Sequence, residues 1–266
     1  IDLIGIGYEN SWVNLQVGRG NESWAAGEGI QLALSSSSSP YDYFKLASDY
    51  GNFRVRYIHG FLEKSSENYN RFITAKGIEW TNNQSFLLGL SEIIIYSGIN
   101  RTVDMGYINP FSFHLETEYN NRLNVPGKGH ANAVWQISID WLINNRIRIS
   151  GNYLYDEFVL DPNIQIGKEH GKAYSIRTSL NLINKQKQIL NCFISNVYVG
   201  TPTFRHGLGT NNFVNRGIPL GWDKGSDGYE TKFGINYIRN KNLIGSISIG
   251  KQTNGQESIT SRVFDP

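Results

Sequence analysis

The sequence predicts an all-β, antiparallel transmembrane β-barrel of about 12–16 strands. Three observations carry this prediction. Apolar and polar residues alternate with period two in run after run. Several runs approach the about 9–11 residues that a tilted strand needs to cross a bilayer, beyond the about 5–6 usual in soluble sheets. Aromatic residues, among them Trp12, Trp80, Trp135, Trp141 and Tyr237, sit at or near the run ends, as in the girdles of membrane barrels.

The clearest early run sets Phe53, Val55, Tyr57, His59 and Phe61 against Arg54, Arg56 and Gly60. Trp135, Ile137, Ile139, Trp141 and Ile143 oppose Gln136, Ser138 and Asp140. Ile147, Ile149, Gly151, Tyr153 and Tyr155 follow, opposing Arg146, Arg148, Ser150 and Asn152. Asn144-Asn145 between these two runs reads as a tight hairpin. Tyr174–Leu182, Tyr229–Tyr237 and Gly245–Ile249 repeat the pattern, and weaker runs lie near 11–19, 29–34, 41–47, 70–80, 83–96 and 188–199. All seven prolines fall outside the runs, as a ladder of backbone hydrogen bonds requires. Five serines at 35–39 read as a solvated turn. Residues 200–228 form a long connection rich in glycine within a single domain spanning 1–266.

Composition narrows the function. Lys and Arg total 25 against 23 for Asp and Glu, a net charge of +2 that lacks the basic excess of a nucleic-acid binder. Cys192 is the only cysteine, which rules out an internal disulfide or a cysteine-built zinc site. No apolar stretch approaches 18 residues, which excludes a helical membrane protein but not a barrel. Nucleophile-elbow and phosphate-loop motifs are absent, so no catalytic residue and no cofactor are assigned.

An ordered series of segments resembles the Wzi-like capsule assembly family of outer-membrane proteins, including its Bacteroidetes relatives. The series begins with Gly18-Arg19, Trp24-Ala25-Ala26-Gly27-Glu28-Gly29, Leu32-Ala33-Leu34-Ser35 and Pro40-Tyr41. It continues with Leu88–Tyr96, Tyr107-Ile108-Asn109-Pro110, Asn144-Asn145 and Leu154-Tyr155-Asp156-Glu157-Phe158. It closes with Gly217-Ile218-Pro219-Leu220-Gly221 and Gly225-Ser226-Asp227. The resemblance implies a barrel of the bacterial outer membrane that binds, anchors or helps assemble surface polysaccharide, with outer-membrane lipid as its other partner. It also implies closing strands beyond Phe264-Asp265-Pro266. The alternative function is a porin-like channel for small solutes.

Two residue sets follow as candidates. Arg54, Arg56, Arg146, Arg148 and Arg177 lie on the polar sides of their runs. Facing lipid, each would cost about 2–4 kcal/mol near the midplane, so they should line the lumen and pair with Asp140, Asp156, Glu79 or Glu92. Arg205, Asn215, Arg216, Trp222, Asp223 and Asp227 on the long connection combine a flat apolar ring with planar polar groups, the chemistry of sugar binding. The same connection would equally serve as a self-packed plug. Two weaker constellations are a metal trio at His114, Glu116 and Glu118, more simply a polar wall or loop, and a hydrolase pair joining Ser138 or Ser150 to His59 or His130.

Overall fold

The computed structural model describes residues 3–64, 68–120, 131–156, 170–185, 187–207, 209–240, 243–257 and 259–260. In chain order its elements are β1 (Ile4–Glu9), β2 (Val13–Gly20), β3 (Tyr41–Tyr50), β4 (Phe53–Phe61), β5 (Tyr69–Thr81) and β6 (Phe86–Ile99). Two short helices follow, α1 (Met105–Ile108) and α2 (His114–Asn120), then β7 (Ala131–Leu142), β8 (Ile147–Asp156), β9 (Gly171–Lys185) and β10 (Gln188–Val199). The two-residue strands β11 (Val214–Asn215) and β12 (Ile218–Pro219) precede β13 (Gly228–Arg239) and β14 (Leu243–Asn254). Apart from β11 and β12, which pair with each other, the strands form one 12-stranded antiparallel sheet in sequence order. β1 and β14 are its edges, so the sheet does not close on itself among the described residues. Among the described residues no helix is long and apolar enough to cross a membrane, which leaves crossing by strands untouched.

Connections alternate in length and so define two ends. The strand pairs β1–β2, β3–β4, β5–β6 and β7–β8 are joined at one end by tight turns, whereas 21–40, 62–68, 100–130 and 200–227 connect strands at the other. Asparagine builds several of the tight turns. Oδ1 of Asn10 accepts from the amides of Trp12 and Val13, that of Asn82 from Gln84, Ser85 and Phe86, and that of Asn144 from Arg146 and Ile147. A side chain standing in for a backbone acceptor is the reason asparagine recurs there. The hairpin expected at Asn144-Asn145 is present, its turn spanning 143–146 between β7 and β8.

Burial is inverted relative to a soluble sandwich. On β7, Ile137, Ile139 and Trp141 are 45%, 41% and 46% exposed, whereas Gln136 and Ser138 are 2% and 7% exposed. The apolar side therefore looks outward. Strand register extends this face into the row Val55, Ile78, Leu90, Ile137, Tyr153 and Tyr174 across β4 to β9, every member exposed. Trp80, Phe86 and Trp141 form a cluster of aromatic neighbours at the short-turn side, with ring centroids 6.1 and 6.4 Å apart. A soluble domain rarely exposes a continuous apolar band of this size.

The opposite face is concave. Ile58, Ile73, Ile93, Val134, Leu154, Ala173 and Val197, from seven consecutive strands, share one buried cluster with Trp24, Leu32, Phe204 and Trp222 from the long connections. Laid flat, those strands would spread over roughly 30 Å at about 4.8 Å per strand. The sheet must curl for two short segments to touch all of them. The run at 29–34, expected to be a strand, is one of those segments. It makes a single bridge, Trp24 to Leu34, and lies inside the curled sheet with Ile30, Leu32 and Leu34 fully buried.

Candidate functional site

Two connections fold inward at the long-loop end and close on each other. The Trp222 amide donates to the Leu32 carbonyl at 3.0 Å, the Ser35 amide to Leu220 O at 2.9 Å, and Ser35 Oγ to Gly221 O at 2.6 Å. The serine run is a turn whose tip, Ser36 and Ser37, is exposed as expected, whereas Ser35, Ser38 and Ser39 are buried, their hydroxyls and carbonyls bonded within the plug. Gly221 is needed where the segments cross, since a Cβ there would stand 1.7 Å from Leu32 O. Gly221→Ala is expected to loosen this crossing by about 1–3 kcal/mol. Faster hydrogen exchange at the Trp222 amide, with the strand amides unchanged, would report it.

The wall grips the plug through three polar anchors. Asn152 on β8 accepts from the Ala26 amide at 2.8 Å and donates to the carbonyls of Ala26 and Ile30. Arg71 on β5 donates to the carbonyls of Thr210, Asn212 and Val214 at 2.5, 2.9 and 2.9 Å. Ser97 on β6 donates to Asn211 Oδ1 at 2.6 Å. Asn152 and Arg71 supply partners that irregular backbone inside the curled sheet otherwise lacks, and Ser97 holds the Asn211 side chain. None of the three was singled out from the sequence. Arg71 was legible only as a charged residue inside a strand run.

The six residues chosen for sugar contact do not converge. Arg205 is buried and paired with Glu257 at 2.8 Å. Asn215 is buried, accepting from the Glu63 amide and donating to the carbonyls of Ser39 and Pro40. Trp222 is 4% exposed, its ring against Gly228, so its faces are covered by protein. Asp227 ties the base of the connection, accepting from Thr201 Oγ1 and from the Glu257 amide. Arg216 and Asp223 stand in solvent. Arg216 and Gly217 both have positive φ, 52° and 72°, at the tip of the β11–β12 hairpin. A two-residue turn needs that geometry, and arginine adopts it at a cost glycine avoids. Asp223 and Lys224 form an exposed ion pair at 2.7 Å. The polar rim comprises the exposed charges Glu63, Arg216, Asp223 and Lys224, of which Glu63 and Lys224 were not singled out from the sequence.

Toward the short-turn end the inner face of the wall is charged, with Arg54 and Arg148 about half exposed and Arg56, Glu79 and Asp140 more covered. Arg54 pairs with Asp49 at 2.6 Å, Arg56 with Glu79, and Arg148 with Asp140 at 2.8 Å. Arg177 donates to Glu28 O and lies 3.7 Å over the Phe193 ring. Asp156 is buried and accepts from the Phe204 amide, which ties it to the plug. Arg146 lies in the β7–β8 turn outside both strands, at the rim and not on the wall. Glu92 faces outward and pairs with Lys76 at 3.0 Å, because its register partners are Lys76 and Trp135 on the outer side.

The weaker constellations are also placed. The stretch 114–120 is helix α2, not a wall strand; His114 is buried against the sheet while Glu116 is exposed. Burial, with the Lys76 ammonium near, pushes the His114 imidazole down to about 3. The Glu118 side chain and His130 lie outside the described residues, as do Glu157 and Phe158 of the resemblance series. Among the described residues no group of three metal-ligating side chains converges. Ser138 and Ser150 lie on the inner face and His59 on the outer, so the wall separates them.

No protein-family model and no curated protein matches the sequence. Among solved structures, the chain is similar to Wzi, an outer-membrane protein involved in group 1 capsule assembly in Escherichia coli and described as a carbohydrate-binding β-barrel. The TM-score is 0.72 at 13% identity, over 96% of this chain and 57% of that one. Lower scores relate it to two Pseudomonas aeruginosa proteins: OpdP (TM-score 0.47, 8% identity, 96% of this chain and 65% of that one) and the outer-membrane protein OprD (0.45, 11%, 96% and 66%). The chain thus has the fold of an outer-membrane barrel wall and spans a little over half the length of the capsule protein.

Proposed function

We propose that this protein is a plugged barrel of the bacterial outer membrane that binds surface polysaccharide at its long-loop end, in a structural and not a catalytic role. The plug carries the reading. Two connections fill the curled sheet and are held to it by buried hydrogen bonds, an arrangement suited to presenting a fixed polar surface. The exposed apolar row on β4 to β9 supplies the lipid-facing belt. Long connections of such barrels face outward from the cell, which puts the rim of Glu63, Arg216, Asp223 and Lys224 outside. The Wzi fold likeness and the ordered sequence resemblance agree with a carbohydrate partner.

Guanidinium, ammonium and carboxylate groups together recognise sugar hydroxyls and acidic sugars through charge-assisted hydrogen bonds. Each such bond contributes about 1.5–3 kcal/mol, so losing one weakens binding roughly tenfold or more. Purified protein titrated with capsular polysaccharide from its own host is expected to bind, and Arg216→Ala with Asp223→Ala to weaken that binding at least tenfold. Deleting the gene is expected to release polysaccharide into the medium with its synthesis intact. Unchanged retention of the polymer, together with a steady ion current through the purified wild-type protein, would replace this reading with the porin-like one.

A further inference from the structure

The outer face carries a second feature that neither the plug nor the rim uses. Residues 101–117, with α1 and the start of α2, lie against the outside of β4 to β7 near the long-loop end. Tyr107 stacks on Tyr96 with ring centroids 4.4 Å apart, and the Arg101 guanidinium stands 4.9 Å from the Tyr96 ring. The Lys76 ammonium meets Ser112 O, and Glu92 Oε1 accepts from the His114 amide at 3.1 Å. Under this segment Tyr57, Phe72, Ile94, Tyr96 and Ala133 are buried. Two to six residues further along the same strands and face, Val55, Ile78, Leu90 and Ile137 are exposed. The edge of the segment therefore meets the edge of the apolar belt.

The segment shows three large apolar side chains to its surroundings, beside the exposed polar Thr102, Asn109 and Glu116. Met105, Phe111 and Phe113 are 75%, 87% and 63% exposed. Phe113 lies over Lys76, at 5.8 Å from the ammonium, and Lys76 precedes Ile78 by one alternation, so the ring stands at the belt's boundary. The segment also roofs the Lys76–Glu92 pair, which on an unprotected outer face would confront acyl chains.

We infer that residues 101–117 form an interfacial collar that seats Met105, Phe111 and Phe113 in the boundary between headgroups and acyl chains of the outer leaflet. The inference rests on the outer-membrane reading. Its occupant is the lipid surface, because the exposed side chains continue the lipid-facing belt and are of the types that partition into that boundary. The collar hides the ion pair from lipid and marks how deep the wall sits.

Nitroxide labels test this in the whole protein, with Cys192→Ser removing the native thiol. Labels are placed singly at Phe111→Cys, Phe113→Cys, Ile139→Cys and Arg216→Cys, in vesicles of phosphatidylethanolamine and phosphatidylglycerol. Collision with oxygen, which concentrates in lipid, is compared with collision with a water-soluble nickel chelate. The expected oxygen-to-nickel ratio is highest at 139, lowest at 216, and at least threefold above the 216 value at 111 and 113. Values at 111 and 113 equal to that at 216, with 139 in lipid, overturn the collar alone. A water-like value at 139 overturns the membrane reading and the collar with it.

Discussion

Replacing Arg71 with Met is expected to free the plug while leaving the wall folded. The guanidinium is buried at 7% exposure and serves three carbonyls of the 200–227 connection. Met retains much of the aliphatic volume but none of the donors, so Thr210, Asn212 and Val214 lose their shared partner in a low-dielectric interior. Hydrogen bonds to a charged group contribute about 1.5–3 kcal/mol each, and they do not add when they share one donor group, so a loss of about 3–4 kcal/mol of plug docking is expected. Strand pairing does not involve the Arg71 side chain, so far-UV circular dichroism should not move. In planar bilayers the variant is expected to show open currents that the parent lacks, and protease should cut within 200–227. A variant as silent and as protected as the parent would show that the connection is held by its apolar packing, through Phe204, Phe213 and Leu220.

Ile139→Arg is expected to destabilise the folded, lipid-inserted protein by about 2–4 kcal/mol if Ile139 sits near the bilayer midplane, falling to about 0–1 toward the interface. Ile139 lies mid-strand on β7 with Leu88 and Gly151 as register neighbours on the outer face. Its register neighbours, Leu88 and Gly151, offer no acidic partner to offset the buried charge. Asn236→Arg, on the inner face of β13 opposite Asn191, places the same group in the wet interior and should change stability by no more than about 0.5 kcal/mol. Urea unfolding in phosphatidylcholine vesicles separates the two. Equal, small effects would put the belt in water and remove the basis for a membrane location.

Much of the wall was legible because its physics is local. The run at Phe53–Phe61 matches β4 residue for residue, and 188–199 matches β10, since period-two side-chain alternation and the turn residues that end it are both written within a dozen positions. β1 was overlooked although Ile4, Ile6 and Tyr8 alternate, because the positions between them are glycines, which lack the polar side chains that mark an opposite face. Residues 29–34 failed in the opposite way. Ile30, Leu32 and Leu34 alternate like a strand, yet their burial comes from a curled wall around them and not from a ladder beside them.

The site was less legible for the same reason. Trp222 and Asn215 have the chemistry of a sugar site, but whether a ring faces solvent or protein depends on partners such as Gly228, Ser39 and Glu63, some far away in sequence. Glu92 lies in a strand run with no local mark of its role; the helix that covers it and the lysine it pairs with lie beyond any short window. Sequence alone determined most of the strands, their alternating faces and the tight turns, because backbone geometry and side-chain periodicity are set by near neighbours. Which face meets lipid, which connections fold inward and which charges are roofed over were decided only in the tertiary structure. Those outcomes depend on curling twelve strands into one wall, a long-range property that no single segment encodes.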